Sequence, residues 1–351
     1  MSLVELKVED LRCLQHVELV LHPRLNLIWG SNGSGKTSIL EALFLLGRGR
    51  SFRTRNSERL IRHGQQQLIV FGRTDDTPTR ALGLQVSAGG TLARVNGAPA
   101  RSLTELSQCF PVQVIDPGVH KLVEEGGHRR RRWLDWAVFH VEPAFADTWG
   151  RYTRTLKQRN AALKHEPSQA HAWDPELARL GEQIAASRRS LIDRLQPVWQ
   201  QTAQALVGTP IDLHYHQGWA HDAPLAQSLV DGRQRDLTRG LTHSGPHRGD
   251  VGLRIAGKLA REVLSRGQQK LVAIALIVSQ LRLLKDLIAL RPTLLLDDPA
   301  AELDGAHLSK FIEAVNGLQC QLVITSLRAE ASSFGTPEQV FHVERGGIRP
   351  V

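Results

Sequence analysis

From residue 1 to about residue 117 the apolar positions come in short runs with turn residues between them: "LVELKVEDL", "HVELVL", "QQLIVFGRT", "ALGLQVSA" and "ARVNGAPA". Runs of this length, bounded in this way, predict strands. From about Val119 to Arg235 the pattern changes to long segments such as "RYTRTLKQRNAALKH" and "DPELARLGEQIAASRRSLIDRLQPVWQQTAQAL", with apolar residues three and four apart. That spacing predicts helices, and Asp174-Pro175 reads as a helix start. Beyond "THSGPHRGDVGLRI" the chain returns to strand, helix and strand, ending in "TLLLDD", "QLVITS" and "QVFHVERGGI". Nearly continuous apolar runs of that kind suit buried parallel strands. The expected architecture is an α/β lobe made of residues 1–118 and 237–351, split by a helical insertion at 119–236. Pro167, Pro175, Pro197, Gly181 and Gly208 interrupt the insertion, so no long coiled coil is expected there.

At 351 residues and 41% apolar the chain can hold one large domain or two. Lys and Arg number 44 against 35 Asp and Glu, a net charge of +9, which favours an anionic partner such as nucleic acid without specifying one. Cys13, Cys109 and Cys320 lie far apart and form no C-x-x-C, so neither a disulfide framework nor a zinc site is suggested, and a reducing, cytoplasmic setting fits. The first residues lack a signal-peptide pattern. The longest apolar run, "KLVAIALIVSQLRLL", is broken by Ser279, Gln280 and Arg282 and is too short to span a bilayer, so no membrane association is expected.

"NLIWGSNGSGKTSILEAL", Asn26 to Leu43, runs an apolar strand into a glycine-rich turn and then an apolar helix, and it matches G-x-x-x-x-G-K-[ST]. Gly30, Ser31, Asn32, Gly33, Ser34 and Gly35 would curl their backbone N–H groups around phosphate oxygens. Lys36 would reach the outer phosphates, and the Thr37 hydroxyl would hold Mg²⁺. "TLLLDD" ends an apolar strand in two acids; Asp297 is placed for the same metal and Asp298 to orient or deprotonate the attacking water. The alternative for these acids is a core strand with exposed carboxylates at its end.

"LSRGQQKL", Leu264 to Leu271, looks like the signature loop of ABC-type ATPases, and "AELD", Ala301 to Asp304, like the loop that follows their Mg²⁺ strand. Ser265 lies 32 residues before Asp297 and can cap a helix running to about Lys285, whose N-terminus would make a second anion site. The alternative is a plain helix cap. With these motifs in order, nearly the whole chain resembles the RecF family, bacterial recombination-repair ATPases related to the SMC proteins; "LKQRNAAL" (Leu156–Leu163) and "GPHRGD" (Gly245–Asp250) look like segments of the same family.

The resemblance implies an ABC-type P-loop ATPase head with an inserted helical subdomain, ATP and Mg²⁺ as ligands, and two ATPs joining a head-to-head homodimer. Ser265 and Gly267 would then complete the partner's site in trans. Lys36, Asp298, Ser265 and Asp304 would form the catalytic set, with Thr37, Asp297 and Gln113 at the metal. It further implies a weak, DNA-stimulated ATPase that binds single- and double-stranded DNA at gaps or junctions. With RecO and RecR such a protein would support RecA loading, replication restart and the SOS response. The histidine that ABC transporter ATPases carry after the following strand is replaced here by Thr325 and Ser326, so slow hydrolysis is expected. Gly249 stands where an acidic residue is common in the family, and "GPHRGD" is given no role.

"GGHRRRRWLDW" places Arg129, Arg130, Arg131 and Arg132 in one run, a candidate DNA contact with a steep salt dependence, which Lys157, Arg159 and Lys164 could extend. The alternative for the arginines is a solvated helix end. Trp133 and Trp136, three apart, read as one buried helix face. The energy subunit of an ABC transporter, an SMC-like chromosome organiser and a metabolic kinase are the competing functions. The basic insert, the absence of a long heptad coil, and Ser265 with Asp304 weigh against them in turn.

Overall fold

The computed structural model describes residues 2–100, 102–303, 305–329 and 334–351. The chain forms two compact units, one of Met1–Val119 with Ala289–Val351 and one of His120–Ile288.

In the first unit an antiparallel sheet runs in the order Leu14–Val20, Leu3–Leu11, Gln67–Thr74, Ala81–Ser87, Gly90–Val95, Ala98–Pro99. A second sheet runs Gly347–Pro350, Gln339–Glu344, Leu25–Trp29, Gln321–Ser326, Thr293–Asp297, Val112–Ile115. All its pairings are parallel except the terminal hairpin. Thr293–Asp297 and Gln321–Ser326 are buried at every residue, as their continuous apolar runs predict.

The helix Lys36–Arg48 is buried on every side over most of its length, which is the pattern of a helix enclosed between layers. Its Ile39, Leu40, Leu43, Phe44 and Leu46 share one core with residues of both sheets, and each such side chain contributes about 2 kcal/mol by leaving water. Gly47 permits the closest approach: a methyl group there would lie 2.5 Å from the Phe110 carbonyl oxygen and 2.6 Å from Val112 Cγ1. Gly49, at φ 62°, ends the helix and donates its N–H to Leu45 O.

The second unit is built on the 33-residue helix Asp174–Leu206, which packs against Phe145–His165 and Arg266–Ile288. It starts at Asp174 with Pro175 in its first turn, as the sequence indicates. Pro197, expected to interrupt, lies inside it. Leu191, Leu195 and Trp199 are fully buried on either side of Pro197, and Trp199 Nε1 donates to Ile211 O at 2.7 Å, so packing outweighs one missing helical hydrogen bond. Residues 237–288, expected with the α/β lobe, are compact with this unit. A three-stranded antiparallel sheet, Lys258–Leu259, Asp250–Ile255 and Asp212–His216, joins the two stretches of sequence within it. No helix among the described residues is long and apolar enough to cross a membrane.

Gly47→Ala is expected to lower stability by about 1–3 kcal/mol, because backbone rather than a flexible side chain blocks the added methyl. Denaturant titration should show a lower midpoint with an unchanged slope.

Candidate functional site

In the first unit, parallel pairing sets Asp297 beside Thr325, and Thr325 and Ser326 beside Ile28 and Trp29. The C-terminal ends of three strands therefore meet where the chain leaves Trp29 into the loop 30–35, the place where open α/β sheets hold ligands.

The loop is held by backbone from two sides. Gly30 N donates to Ser326 O at 3.2 Å, and Gly346 N donates to Ser34 O at 2.9 Å. Gly346 sits with Arg345 in the two-residue turn of the C-terminal hairpin, both at positive φ, the geometry of a tight hairpin turn. A side chain on Gly346 would collide with Cys13 O, and one on Gly30 with Val343 O, so both glycines are needed for close approach. Trp29 stacks on His342 of the hairpin, ring centroids 4.0 Å apart.

Within the loop, Gly33 (φ 77°) and Gly35 (φ 120°) adopt left-handed backbone, with Ser31, Asn32 and Gly33 exposed and Ser34 and Gly35 buried. The Ser34 hydroxyl is buried and has no hydrogen-bond partner among the described residues. Lys36 Nζ donates to Gly30 O at 2.7 Å and Ser31 O at 2.9 Å. Burial lowers the Lys36 ammonium from its ordinary value, opposed by the charges of Asp298 and Asp297. An unpartnered hydroxyl, a partly desolvated cation and a helix N-terminus free of acids fit a polyphosphate.

Thr37 Oγ1 lies 3.0 Å from both carboxylate oxygens of Asp297, across 260 residues of sequence. Thr325 Oγ1 donates to Asp297 Oδ1 at 2.8 Å and accepts the Asp298 N–H at 3.0 Å. One hydroxyl thus holds the Asp297 carboxylate and the Asp298 main chain. Asp298 itself is left-handed, φ 50° and ψ 55°, a strained backbone for a side-chain-bearing residue and one that concentrates at functional sites. A hydroxyl and a carboxylate in contact are the oxygen ligands Mg²⁺ takes, so Thr37 and Asp297 fit the expected metal pair. Beneath them, buried Glu41 is bonded by Arg12 and Ser51, a network that gives no local sequence signal because its members lie on three separate segments.

Gln113 does not join this group. It pairs in register with Leu294, three residues and about 10 Å before Asp297, and an odd offset puts the two side chains on opposite faces of the sheet. Asp304 lies outside the described residues. Ser265 and Gly267 belong to the second unit and are exposed. Ser265 N donates to Gln268 Oε1 at 3.0 Å and Ser265 Oγ accepts Gln268 N at 3.3 Å, a capping box opening the helix Arg266–Ile288.

The arginine run is divided by the helix Gly127–Val141 on which it lies. Arg130 is buried, paired with both oxygens of Asp250 at 2.9 and 2.8 Å and bonded to the carbonyls of Leu122, Val123 and Glu125. It is a structural ion pair, which corrects its expected place on a DNA surface. Arg131 donates to Gly249 O at 2.7 Å, Arg129 pairs with Glu125, and Arg132 is exposed. Trp133 and Trp136 are buried, as their spacing indicates. Of the suggested extensions, Lys157 and Lys164 are exposed, whereas Arg159 is buried between Asp174 and Asp236.

Gly346→Ala is expected to push the hairpin off Ser34 and weaken nucleotide binding about tenfold, roughly 1.4 kcal/mol, which titration with a fluorescent ATP analogue would read.

A family model described as the RecF/RecN/SMC N terminal domain matches residues 2–347. A Pseudomonas aeruginosa protein named DNA replication and repair protein RecF is 39% identical, covering 99% of this chain and 97% of the relative. A Pseudomonas putida protein of the same name is 40% identical over 99% and 98% of the two chains. The solved structure of the recombination mediator protein RecF with ATP in the RecFOR pathway superposes with a TM-score of 0.91 at 25% identity, covering 100% of this chain and 97% of that one. An SMC head bound to the C-winged helix domain of ScpA, at 15% identity and a TM-score of 0.58, shares the fold alone. Similarity along its entire length, on an ABC-type P-loop ATPase fold, shows that the chain belongs to the RecF family.

Proposed function

We propose that the chain is an ATP-switched DNA-binding protein of recombinational repair. The observation that carries this reading is the joined set of Thr37, Asp297, Thr325 and Asp298 beside a glycine loop that buries the Ser34 hydroxyl and the Lys36 ammonium. Support for the repair role comes from the relatives, named as DNA replication and repair proteins, and from a RecF solved with ATP.

The loop N–H groups and the Ser34 hydroxyl hold the phosphate chain, and Lys36 balances its outer charge. Mg²⁺, when bound, supplies further charge neutralisation, and Thr37 and Asp297 are the residues that would hold it. Asp298, turned by its left-handed backbone and anchored through Thr325, orients the attacking water and accepts its proton. Exposed Ser265 and Gly267, at the start of a 23-residue helix, present N–H groups and a positive helix end to the γ-phosphate bound by a second copy, so ATP joins two chains and hydrolysis separates them. Thr325 and Ser326 offer hydroxyls and no imidazole where transporters carry a histidine; turnover is accordingly slow and DNA accelerates it. The clamp acts at gaps or junctions in single- and double-stranded DNA with RecO and RecR, the pathway named for the solved relative, in RecA loading, replication restart and SOS induction.

Asp298→Asn should retain ATP and the dimer while hydrolysis falls by a factor of about 100 or more, since an amide accepts no proton from water. An unchanged steady-state rate removes Asp298 from the chemistry. Lys36→Arg and Ser265→Arg should each have little ATPase activity alone, yet a mixture should recover roughly a quarter of the wild-type rate, because half the random dimers carry one intact composite site. Sedimentation with ATP first establishes that both variants dimerise. No recovery by dimerising variants counts against the site shared between copies.

A further inference from the structure

The segment Gly245–Asp250 in the second unit has no part in the nucleotide site, yet its loop is clamped from every side. Gly245, at φ 138°, donates its N–H to Gly218 O at 3.1 Å, and a methyl on Gly218 would lie 2.5 Å from Gly249 N. Arg188 donates to Pro246 O at 2.6 Å, Arg131 to Gly249 O at 2.7 Å, and Arg130 holds the Asp250 carboxylate. His247 lies between Tyr152 OH (2.6 Å) and Thr242 O (3.0 Å). Burial lowers the His247 pKa to about 4, so the ring is neutral, its Nδ1 accepting from Tyr152 and its Nε2–H donating to Thr242 O.

The arginines around this loop fall into two groups. Arg130 and Arg188 are buried and take both oxygens of Asp250 and Asp135 respectively. Arg131, Arg189 and Arg248 are hydrogen-bonded only to neutral acceptors among the described residues: Gly249 O, Gln217 Oε1 at 2.5 Å and, weakly, Thr242 O at 3.5 Å. Arg189 and Arg248 are exposed, Arg131 half-buried. The Gln217–Gly218 turn packs on Gly249, so the acceptor of Arg189 and that of Arg131 belong to one cluster. Burial lowers Arg131, Asp250 opposes this, and the charges of Arg188 and Arg248 lower it further.

The geometry points to an anion site formed by Arg131, Arg189 and Arg248 around the Gly245–Asp250 loop, whose ligand is the phosphodiester backbone of DNA. The chemistry matches: guanidinium forks with donors to spare, Arg131 and Arg248 bonded to main-chain carbonyls and Arg189 to the Gln217 amide oxygen, present paired donors to phosphate oxygens and give up no hydrogen bond to a carboxylate to do so. The inference rests on the DNA-binding reading above and locates it. Of the Arg129–Arg132 run, only Arg131 belongs to the site.

The test uses the full chain with a non-hydrolysable ATP analogue and a labelled gapped duplex, titrated across a salt series. Arg189→Gln with Arg248→Gln should weaken binding about tenfold per arginine and reduce the slope of log affinity against log salt by about 1 for each. The double lysine variant should restore the slope, and Arg179→Gln, at an arginine paired with Glu176, should change neither. A double glutamine variant with the wild-type slope overturns the site alone and leaves DNA binding elsewhere; a wild-type chain that retains no DNA overturns the broader reading and the site together. Stabilisation of the wild type by inorganic phosphate, absent from the double variant while both bind DNA equally, would assign the cluster to free phosphate and overturn the DNA assignment.

Discussion

The hydroxyl of Thr37 resting on the carboxylate of Asp297 is the contact on which the nucleotide site depends, and it joins groups 260 residues apart. Closing a loop of that length has an entropic cost that grows only slowly with length, and the parallel sheet meets it by pairing Leu25–Trp29, Gln321–Ser326 and Thr293–Asp297 side by side. The carboxylate is buried, and without partners its charge would cost several kcal/mol. Two hydroxyls, Thr37 and Thr325, satisfy it, and the Lys36 ammonium lies close enough to feel its field.

Around this contact the first unit supplies fixed backbone. Ser326 O holds Gly30, and the hairpin turn at Gly346 holds Ser34. A phosphate cradle is an array of N–H groups whose directions must not relax when charge arrives, and two neighbouring strands keep those directions set. The terminal hairpin is therefore part of the cradle's support.

The second unit shows how a basic chain distributes charge. Arg130, Arg159 and Arg188 are buried, each facing carboxylates and, for Arg130 and Arg188, main-chain carbonyls as well. Removing one partner of such a pair costs about 3–5 kcal/mol, so these arginines maintain the shape of the unit. A net charge of +9 is in this sense a poor guide to an interface; the informative cations are those whose hydrogen bonds end on neutral oxygens.

What the sequence determined by itself was local. The strand, glycine loop and helix around Lys36, the continuous apolar strand before Asp297, the start at Asp174-Pro175 and the buried face of Trp133 and Trp136 all follow from short-range periodicity and backbone preference. Where an outcome depended on a distant partner, pattern gave no answer. Pro197 stays helical because Leu191, Leu195 and Trp199 are buried around it, and residues 237–288 join the helical unit through sheet pairing with Asp212–His216. Four consecutive arginines read alike in sequence, yet a helix turns each about 100° from the last, so Arg130 meets Asp250 while Arg129 and Arg132 face water. Gln113 sits on the wrong face of its strand for the metal because sheet register, which no local signal encodes, sets it beside Leu294. Local chemistry selected the elements, and only tertiary packing decided which side chains meet.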